Sequence, residues 1–262
     1  MKQASPINCG GPLAKLGTLT WLERTGGKLA WYDRLALMAQ AVKARAATRR
    51  RIEAGCKIRN MAVEDILPPD SAITREATAL CQDASAPYLF NHCLRTYFWA
   101  RLLDDGRVPF DDEALFTATL LHDLGLTDAH RLSGVEEQCF CIVGARAAKI
   151  LAAKHAWPDR RAEIAAQAIA LHLNVILDAR HGKEAQMLRA GSGGDVAGLG
   201  LDVLHTEQIE SVVARFPRFD LKHELPRTLT IEAQARPGCR VAFLQNKLGF
   251  AQLIRDTPLF RE

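Results

Sequence analysis

The feature that most constrains this chain is the apolar run at residues 114–126, ALFTATLLHDLGL, which contains a His–Asp pair near its end. Its apolar residues recur at helical spacing on most sides, which is typical of a helix buried in a protein core. His122 and Asp123 therefore lie at a buried helix end, where polar groups without partners cost free energy. A divalent cation would compensate both, because adjacent helical side chains can lean into one pocket only near a helix end. The alternative is a pair that merely caps or hydrogen-bonds a neighbouring group.

The composition bounds the class of protein. Of the 262 residues 48% are hydrophobic, which is enough for a sizeable core in one large domain or in one domain with an appendage. The net charge of +4 is too small to predict nucleic-acid binding by itself, and no apolar run reaches membrane-spanning length. The 7 cysteines form no CxxC pair and the N-terminus has no apolar signal segment, so we expect a soluble, cytoplasmic protein without membrane contact.

The patterning along the chain predicts an all-α protein. No segment shows convincing strand alternation, and no internal repeat is present. The middle of residues 183–204 is rich in glycine, which we interpret as allowing close approach of backbones. Helices are expected over residues 28–54, 71–83, 87–103, 111–123, 136–155 and 160–173, then from the N-cap Thr206 to about residue 216, and on both sides of residues 237–238.

The first of these helices, over residues 28–54, is apolar in its first half and basic in its second, which carries Lys43, Arg45 and Arg49. A basic helix end is favoured by the helix dipole, so a solvated end is the preferred interpretation. A contact with nucleic acid or another acidic partner is the alternative. We therefore divide the chain into an N-terminal helical extension, residues 1–64, and a main domain, residues 65–262.

Several candidate metal ligands lie on separate buried or glycine-lined elements. A metal site inside a helical bundle requires ligands from several helices, because no single helix can surround an ion. Nitrogen and carboxylate ligands without thiolates fit Zn, Fe(II) or Mn. We expect one divalent ion, with Zn or Fe preferred. The candidates are His92, His122, Asp123, His172 and Asp195.

The order His…His–Asp…Asp resembles the HD-domain metal-dependent hydrolase superfamily, and the flanking residues resemble its cyanamide-hydratase-like branch. The resemblance covers roughly residues 65–240 and implies an HD-domain helical bundle with a buried metal site. The residues that carry it are NHCLRTY at 91–97, LLHDLG at 120–125, IALH at 169–172, DVAG at 195–198 and FPR at 216–218.

The resemblance also implies roles for individual residues. His92, His122, Asp123 and Asp195 match the family's metal ligands, of which Asp123 also belongs to the catalytic set. His172 matches a histidine that faces the pocket and would act as general base and acid; whether it also reaches the metal stays open.

Two further positions are assigned to the substrate side of the site. Arg95 matches the family's arginine one turn after the first ligand, where it would orient the site rather than catalyse. Residues 140–145 read FCIVGA where the family often reads Phe-Glu-x-Asp-Gly-Ala, so both acids are absent. If either acid touches substrate in relatives, the substrate of this chain differs. Cys141 would then line the pocket, with plain packing as the preferred alternative.

These observations predict a metal-dependent enzyme that activates water for attack on a small molecule, with cyanamide or nitrile hydration as the leading hypothesis. A phosphohydrolase is the runner-up, and it would need a cationic pocket built from Arg95, Arg131 or Arg146. A non-catalytic HD-fold binding module is the third alternative. A homo-oligomer is compatible with the sequence, and nucleic acid is not an expected partner.

Overall fold

The computed structural model describes residues 16–54, 61–131 and 138–260, and these segments form an all-α bundle. They contain twelve α-helices and no β-strand. The all-α prediction is therefore confirmed. The helices are α1 Leu19–Thr25, α2 Trp31–Ala54, α3 Ala72–Ala84, α4 Pro87–Leu102, α5 Asp112–Leu121, α6 Cys141–Lys154, α7 Asp159–Leu171, α8 Lys183–Ala197, α9 Thr206–Arg215, α10 Leu221–Ala235, α11 Arg240–Leu248 and α12 Phe250–Arg255.

Helix α5 ends where the sequence predicted. Asp111 caps its first turn by accepting a hydrogen bond from the backbone N–H of Ala114. The helix stops at Leu121, His122 is its C-cap, and the 3-10 turn Leu124–Leu126 follows Asp123. The His–Asp pair therefore lies at a buried helix end, from which both side chains reach one pocket.

Helices α4 and α8 pack along each other at the centre of the bundle, and a glycine makes the close approach possible. A Cβ atom at Gly191 would overlap the carbonyl oxygen of Thr96 on α4. The expectation that this glycine-rich segment allows backbones to approach is confirmed. The same glycines lie inside a regular helix, because tight packing against α4 and α7 offsets their low helix propensity.

Some element boundaries differ from the sequence predictions. Helix α6 begins at Cys141 rather than at residue 136, and residues 132–137 lie outside the described segments. The N-cap of α9 is His205, whose backbone N–H donates to Oε1 of Gln208 at 2.9 Å, so Thr206 is the first helical residue. Helix α1 was not expected, and residues 1–15 lie outside the described segments.

The first two helices pack into the same core as the rest of the bundle. Leu16, Leu22 and Leu37 are fully buried, and the backbone N–H of Leu19 donates to Oε1 of Gln167 at 2.7 Å. The division of the chain at residue 64 stays a prediction. Among the described residues, no helix combines the length and the apolar character that a membrane crossing needs.

Candidate metal centre

Three buried acceptor atoms meet where α4 faces the end of α5. The Nε2 atoms of His92 and His122 are 3.2 Å apart, and each lies 3.4 Å from Oδ2 of Asp123. Ligand atoms that share one ion at about 2.0–2.2 Å lie roughly 3.0–3.6 Å from one another. The triangle therefore has the dimensions of a set of ligands that can hold one divalent ion.

The second nitrogen of each ring shows which atom carries the proton. Nδ1 of His122 lies 2.7 Å from the carbonyl oxygen of Thr119, and Nδ1 of His92 lies 2.7 Å from Oδ2 of Asp195. Both partners are acceptors, so each Nδ1 is the donor, and in a neutral ring Nε2 then carries a lone pair. With both rings neutral, two nitrogen lone pairs and a carboxylate oxygen thus face one another, an arrangement that favours a positive charge, either a proton or a metal ion, between them.

The pKa values of these groups show the same demand for positive charge. Burial lowers the pKa of His122 to about 3, so this ring is neutral. Burial also opposes protonation of His92, but its hydrogen bonds to Asp123 and Asp195 outweigh that cost and raise its pKa to about 9. Although burial favours its neutral form, Asp123 keeps a pKa below its usual range beside these histidines. A proton on His92 thus supplies the charge that a metal ion would otherwise provide.

Asp195 lies outside the triangle of acceptor atoms in this structure, and its expected role as a direct ligand stays a prediction. Its Oδ1 accepts from Nε of Arg95 at 2.7 Å and from Nε1 of Trp99 at 2.8 Å. Its Oδ2 accepts from Nη2 of Arg95 at 2.9 Å and from Nδ1 of His92. The carboxylate therefore lies behind the His92 ring, where its contacts hold that ring and fix its tautomer.

Arg95 belongs to the same support behind His92, and its expected place on the substrate side of the site stays a prediction. Its side chain is fully buried, with Nη1 donating to the carbonyl oxygens of Phe216 at 2.9 Å and Pro217 at 3.0 Å. Arg218 adds a hydrogen bond from Nη1 to the Asp195 carbonyl oxygen at 2.7 Å. The FPR segment thus completes the support behind His92, and the orienting role inferred for Arg95 agrees with this geometry.

His172 repeats the local arrangement of His122 at the end of a different helix. It is the C-cap of α7, and its Nδ1 lies 2.7 Å from the carbonyl oxygen of Ile169. Helix ends leave such carbonyls without intrahelical partners, so a C-cap histidine can satisfy one and direct Nε2 beyond the helix. Nε2 of His172 lies 3.7 Å from Oδ1 of Asp123, and burial lowers the pKa of the ring. It is a neutral base beside the ligand triangle.

A cavity of about 1030 Å³ opens on the ligand triangle and on His172. Its walls come mainly from apolar side chains, which suits a substrate with an apolar body. These walls include Phe140, Leu173, Val175, Ile176, Leu177, Val196, Leu225, Leu229, Leu244, Leu248, Phe250 and Leu253.

Cys141 lies outside the cavity wall, which agrees with packing, the preferred interpretation of this residue, while a role in substrate binding stays a prediction. It is fully buried, and its Sγ lies 3.6 Å from that of Cys139. Arg131 and Arg146 do not line the cavity either, since Arg131 donates to the Leu126 carbonyl oxygen and Arg146 is exposed. The three arginines considered for a phosphate substrate therefore do not converge on it.

Four polar residues of the cavity wall, Asn174, Gln186, Arg189 and Ser192, were not among the residues predicted from the sequence. Gln186 and Arg189 lie one turn apart on α8 and share its cavity-facing side with Ala190, Gly193 and Val196. The spacing i, i+3, i+4, i+7 was a usable signal for one helix face. Glycine propensity alone does not favour a continuous helix here, so the spacing becomes meaningful only with the helix in place.

Residues 89–209 match the family model described as HD domain. No curated protein matches the chain at a significant level. The matched segment runs from α4 into α9 and contains all three atoms of the ligand triangle. HD domains are generally metal-dependent hydrolases, and the donor set found here is compatible with a divalent ion. The segment that holds the centre of this bundle therefore resembles an HD domain.

Proposed function

We propose that this chain is a metal-dependent hydrolase or hydro-lyase acting on a neutral electrophilic group carried by a largely apolar body. His92, His122 and Asp123 would hold one divalent ion. Two imidazole nitrogens and a carboxylate that leave positions open for water suit Zn or Fe(II). Such an ion, when bound, lowers the pKa of water and polarises an electrophile.

One observation carries this proposal: the three acceptor atoms and His172 face the same large apolar cavity. A structural metal site is closed by protein ligands, whereas a catalytic site keeps access to substrate. The apolar walls would exclude bulk water, which strengthens electrostatic interactions inside the cavity.

The residues of the chain divide the remaining work. Neutral His172 can take a proton at Nε2 from water and return it to the product, while its Nδ1 bond to the Ile169 carbonyl oxygen fixes the ring. Asp195 and Arg95 would keep Nε2 of His92 aimed at the centre. Neither Asp195 nor Arg95 needs to touch the substrate in this role.

The cavity bears on the substrate class. Addition of water to a nitrile carbon–nitrogen triple bond gives an amide, and the same addition to cyanamide gives urea. Neither group carries a charge. Among the described residues that line the cavity, Arg189 is the one lysine or arginine, so the largely apolar wall suits an uncharged reacting group. A cavity of about 1030 Å³ is far larger than cyanamide, so we favour an organic nitrile with an apolar body.

The test compares substrate classes on one preparation. Protein stripped of metal and reloaded separately with Zn, with Mn or, without oxygen, with Fe(II) is assayed with octanenitrile, cyanamide and p-nitrophenyl phosphate. We expect amide formation from octanenitrile that requires metal and is lost in Asp123→Asn. Turnover of the phosphate ester alone would assign the site to phosphohydrolysis, and no turnover of any class by metal-loaded protein would contradict the proposal.

A further inference from the structure

The cavity-facing side of α8 carries a guanidinium that has no anionic partner among the described residues. The hydrogen bond that Arg189 makes runs from Nε to the carbonyl oxygen of Asn174 at 3.4 Å. No described carboxylate lies within ion-pair distance of it, and burial lowers its pKa. A desolvated guanidinium of this kind is costly unless an acceptor approaches it.

A second donor lies beside this guanidinium. Gln186 precedes Arg189 by three residues, so the two side chains are neighbours on the helix surface, and both line the cavity. Within the described chain, the Gln186 side chain makes no hydrogen bond of its own. The wall therefore presents an amide and a planar guanidinium together, and a guanidinium binds a carboxylate through two parallel hydrogen bonds.

The position of Arg189 separates it from the metal centre. Asp195, which supports His92, follows six residues later on α8, a rise of roughly 9 Å along the helix axis. The apolar wall residues lie in the same cavity as both sites. A ligand that reaches both therefore needs an apolar spacer between its two ends.

We propose that Arg189, assisted by Gln186, binds a carboxylate at one end of the substrate while the other end reacts at the metal centre. This inference rests on the proposed function and names the substrate class more closely: an apolar chain or ring that carries a carboxylate and, at a distance, the electrophilic group. A single guanidinium matches a monoanion better than a phosphate dianion.

Binding of octanoate, measured by calorimetry beside octanamide as the neutral probe, tests this site. We expect wild-type protein to bind octanoate both metal-loaded and after chelation, because Arg189 rather than the ion holds the carboxylate. Arg189→Met should weaken octanoate binding at least about tenfold and leave octanamide binding unchanged. Arg189→Lys, which keeps the charge but loses the planar fork, should fall between the two.

Several results would overturn the inference. Equal octanoate affinity in wild type and Arg189→Met would remove Arg189 from the site, and loss of octanoate binding on chelation would assign the carboxylate to the ion. If Arg189→Met does not fold, Gln186→Leu and Arg189→Lys replace it in the test. Octanoate binding that neither of these variants weakens would then contradict the site. Octanoate binding is measured without turnover, so a failure of the hydration assay does not change what the binding result says about Arg189.

A separate observation concerns the exposed side of α2. Four large apolar side chains lie there at the spacing i, i+4, i+7, i+11: Trp31 is 73% exposed, Leu35 61%, Met38 42% and Val42 66%. On the other side of the helix, Leu37 is buried in the core. The helix is therefore apolar on two sides, of which the described chain covers only one.

The dimensions of this stripe fit a second copy of the chain. Alternating steps of four and three residues form the seam along which two helices pack. With Tyr32, the stripe exposes roughly 600 Å² per copy, so a two-fold pair would bury about 1,200 Å² in total, the lower limit for specific interfaces. A two-fold axis brings the same stripe from both copies together. We infer that α2 pairs with α2 of a second copy.

Sedimentation velocity on the full chain tests this pairing. We expect wild type to be a dimer and Leu35→Glu a monomer, while Ile150→Glu, at an equally exposed aliphatic on α6, remains dimeric. If Leu35→Glu fails to fold, Val42→Glu takes its place. Monomeric wild type at micromolar concentrations, or a dimer that survives Leu35→Glu or Val42→Glu, would contradict the inference. Binding of a monomer to anionic vesicles would instead assign the stripe to a lipid surface.

Discussion

Nδ1 of His92 lies 2.7 Å from Oδ2 of Asp195, which decides which ring nitrogen faces the cavity. The carboxylate accepts the proton of Nδ1, so Nε2 is left to meet His122 and Asp123. The same carboxylate is held by Arg95 and Trp99, which makes the orientation of the first ligand a property of the α4–α8 packing.

Asp195→Asn should weaken metal binding without abolishing it. The amide oxygen can still accept from His92, but the charge that compensates Arg95 is lost, so we expect a drop in affinity of about 10–100-fold. Metal titration with a competing chelator measures this. Complete loss of metal from a folded Asp195→Asn variant, equal to that of Asp123→Asn, would indicate that Asp195 is a direct ligand after all.

Metal binding should release close to one proton per ion near neutral pH. The metal-free site holds a proton on His92, whose pKa of about 9 lies above its ordinary value of 6.5. This proton stabilises the metal-free fold below pH 6.5, and the contribution is lost as the pH rises through about 9. Metal affinity should therefore rise with pH over this window. Calorimetry in buffers of different ionisation enthalpy counts the protons, and a count of zero at pH 7 would contradict this assignment.

His172→Ala should give a folded, metal-loaded and slow enzyme. His172 lies outside the ligand triangle, so metal content should match wild type, whereas loss of a positioned base lowers turnover by about 10²–10⁴-fold. Metal content, melting temperature and turnover are measured on the same preparation. Metal loss would make His172 a ligand, and normal turnover in a less stable protein would make it a packing residue.

Gly191→Ala should destabilise the bundle, because the added methyl group meets the Thr96 carbonyl oxygen on α4. A backbone atom cannot move aside as a side chain can, so we expect a loss of about 1–3 kcal/mol. Gly193→Ala is the matched control on the same helix, since its nearest neighbour is the flexible Leu199 side chain at 3.3 Å. Chemical denaturation measures both, and equal stability of the two variants would contradict this packing.

The sequence was sufficient for the helical class and for the His–Asp pair at a helix end, because both depend on local periodicity and a following glycine. It was not sufficient for Asp195, whose carboxylate direction depends on donors from Arg95 and Trp99 one helix away. Spacing can place a carboxylate near a site, but only packing determines which side of His92 it occupies.

Arg95 and Arg189 show a second limit. Both are arginines on helices of the core, yet Arg95 forms an ion pair with Asp195 whereas Arg189 lines the cavity. Residue type is the same in the two cases, and the neighbours brought in by tertiary packing separate them. The resemblance gave Arg95 an orienting role and also a place on the substrate side of the site, and only the packing around Asp195 distinguishes the two.

The most direct measurement of the metal centre is an anomalous difference map from crystals of Zn-loaded protein, paired with metal analysis of Asp123→Asn. We expect one strong peak bounded by Nε2 of His92, Nε2 of His122 and Oδ2 of Asp123, on the side that opens to the cavity. We also expect Asp123→Asn to retain little metal. A loaded wild-type crystal with no peak among these three atoms, or full metal occupancy in folded Asp123→Asn, would contradict the assignment of this centre.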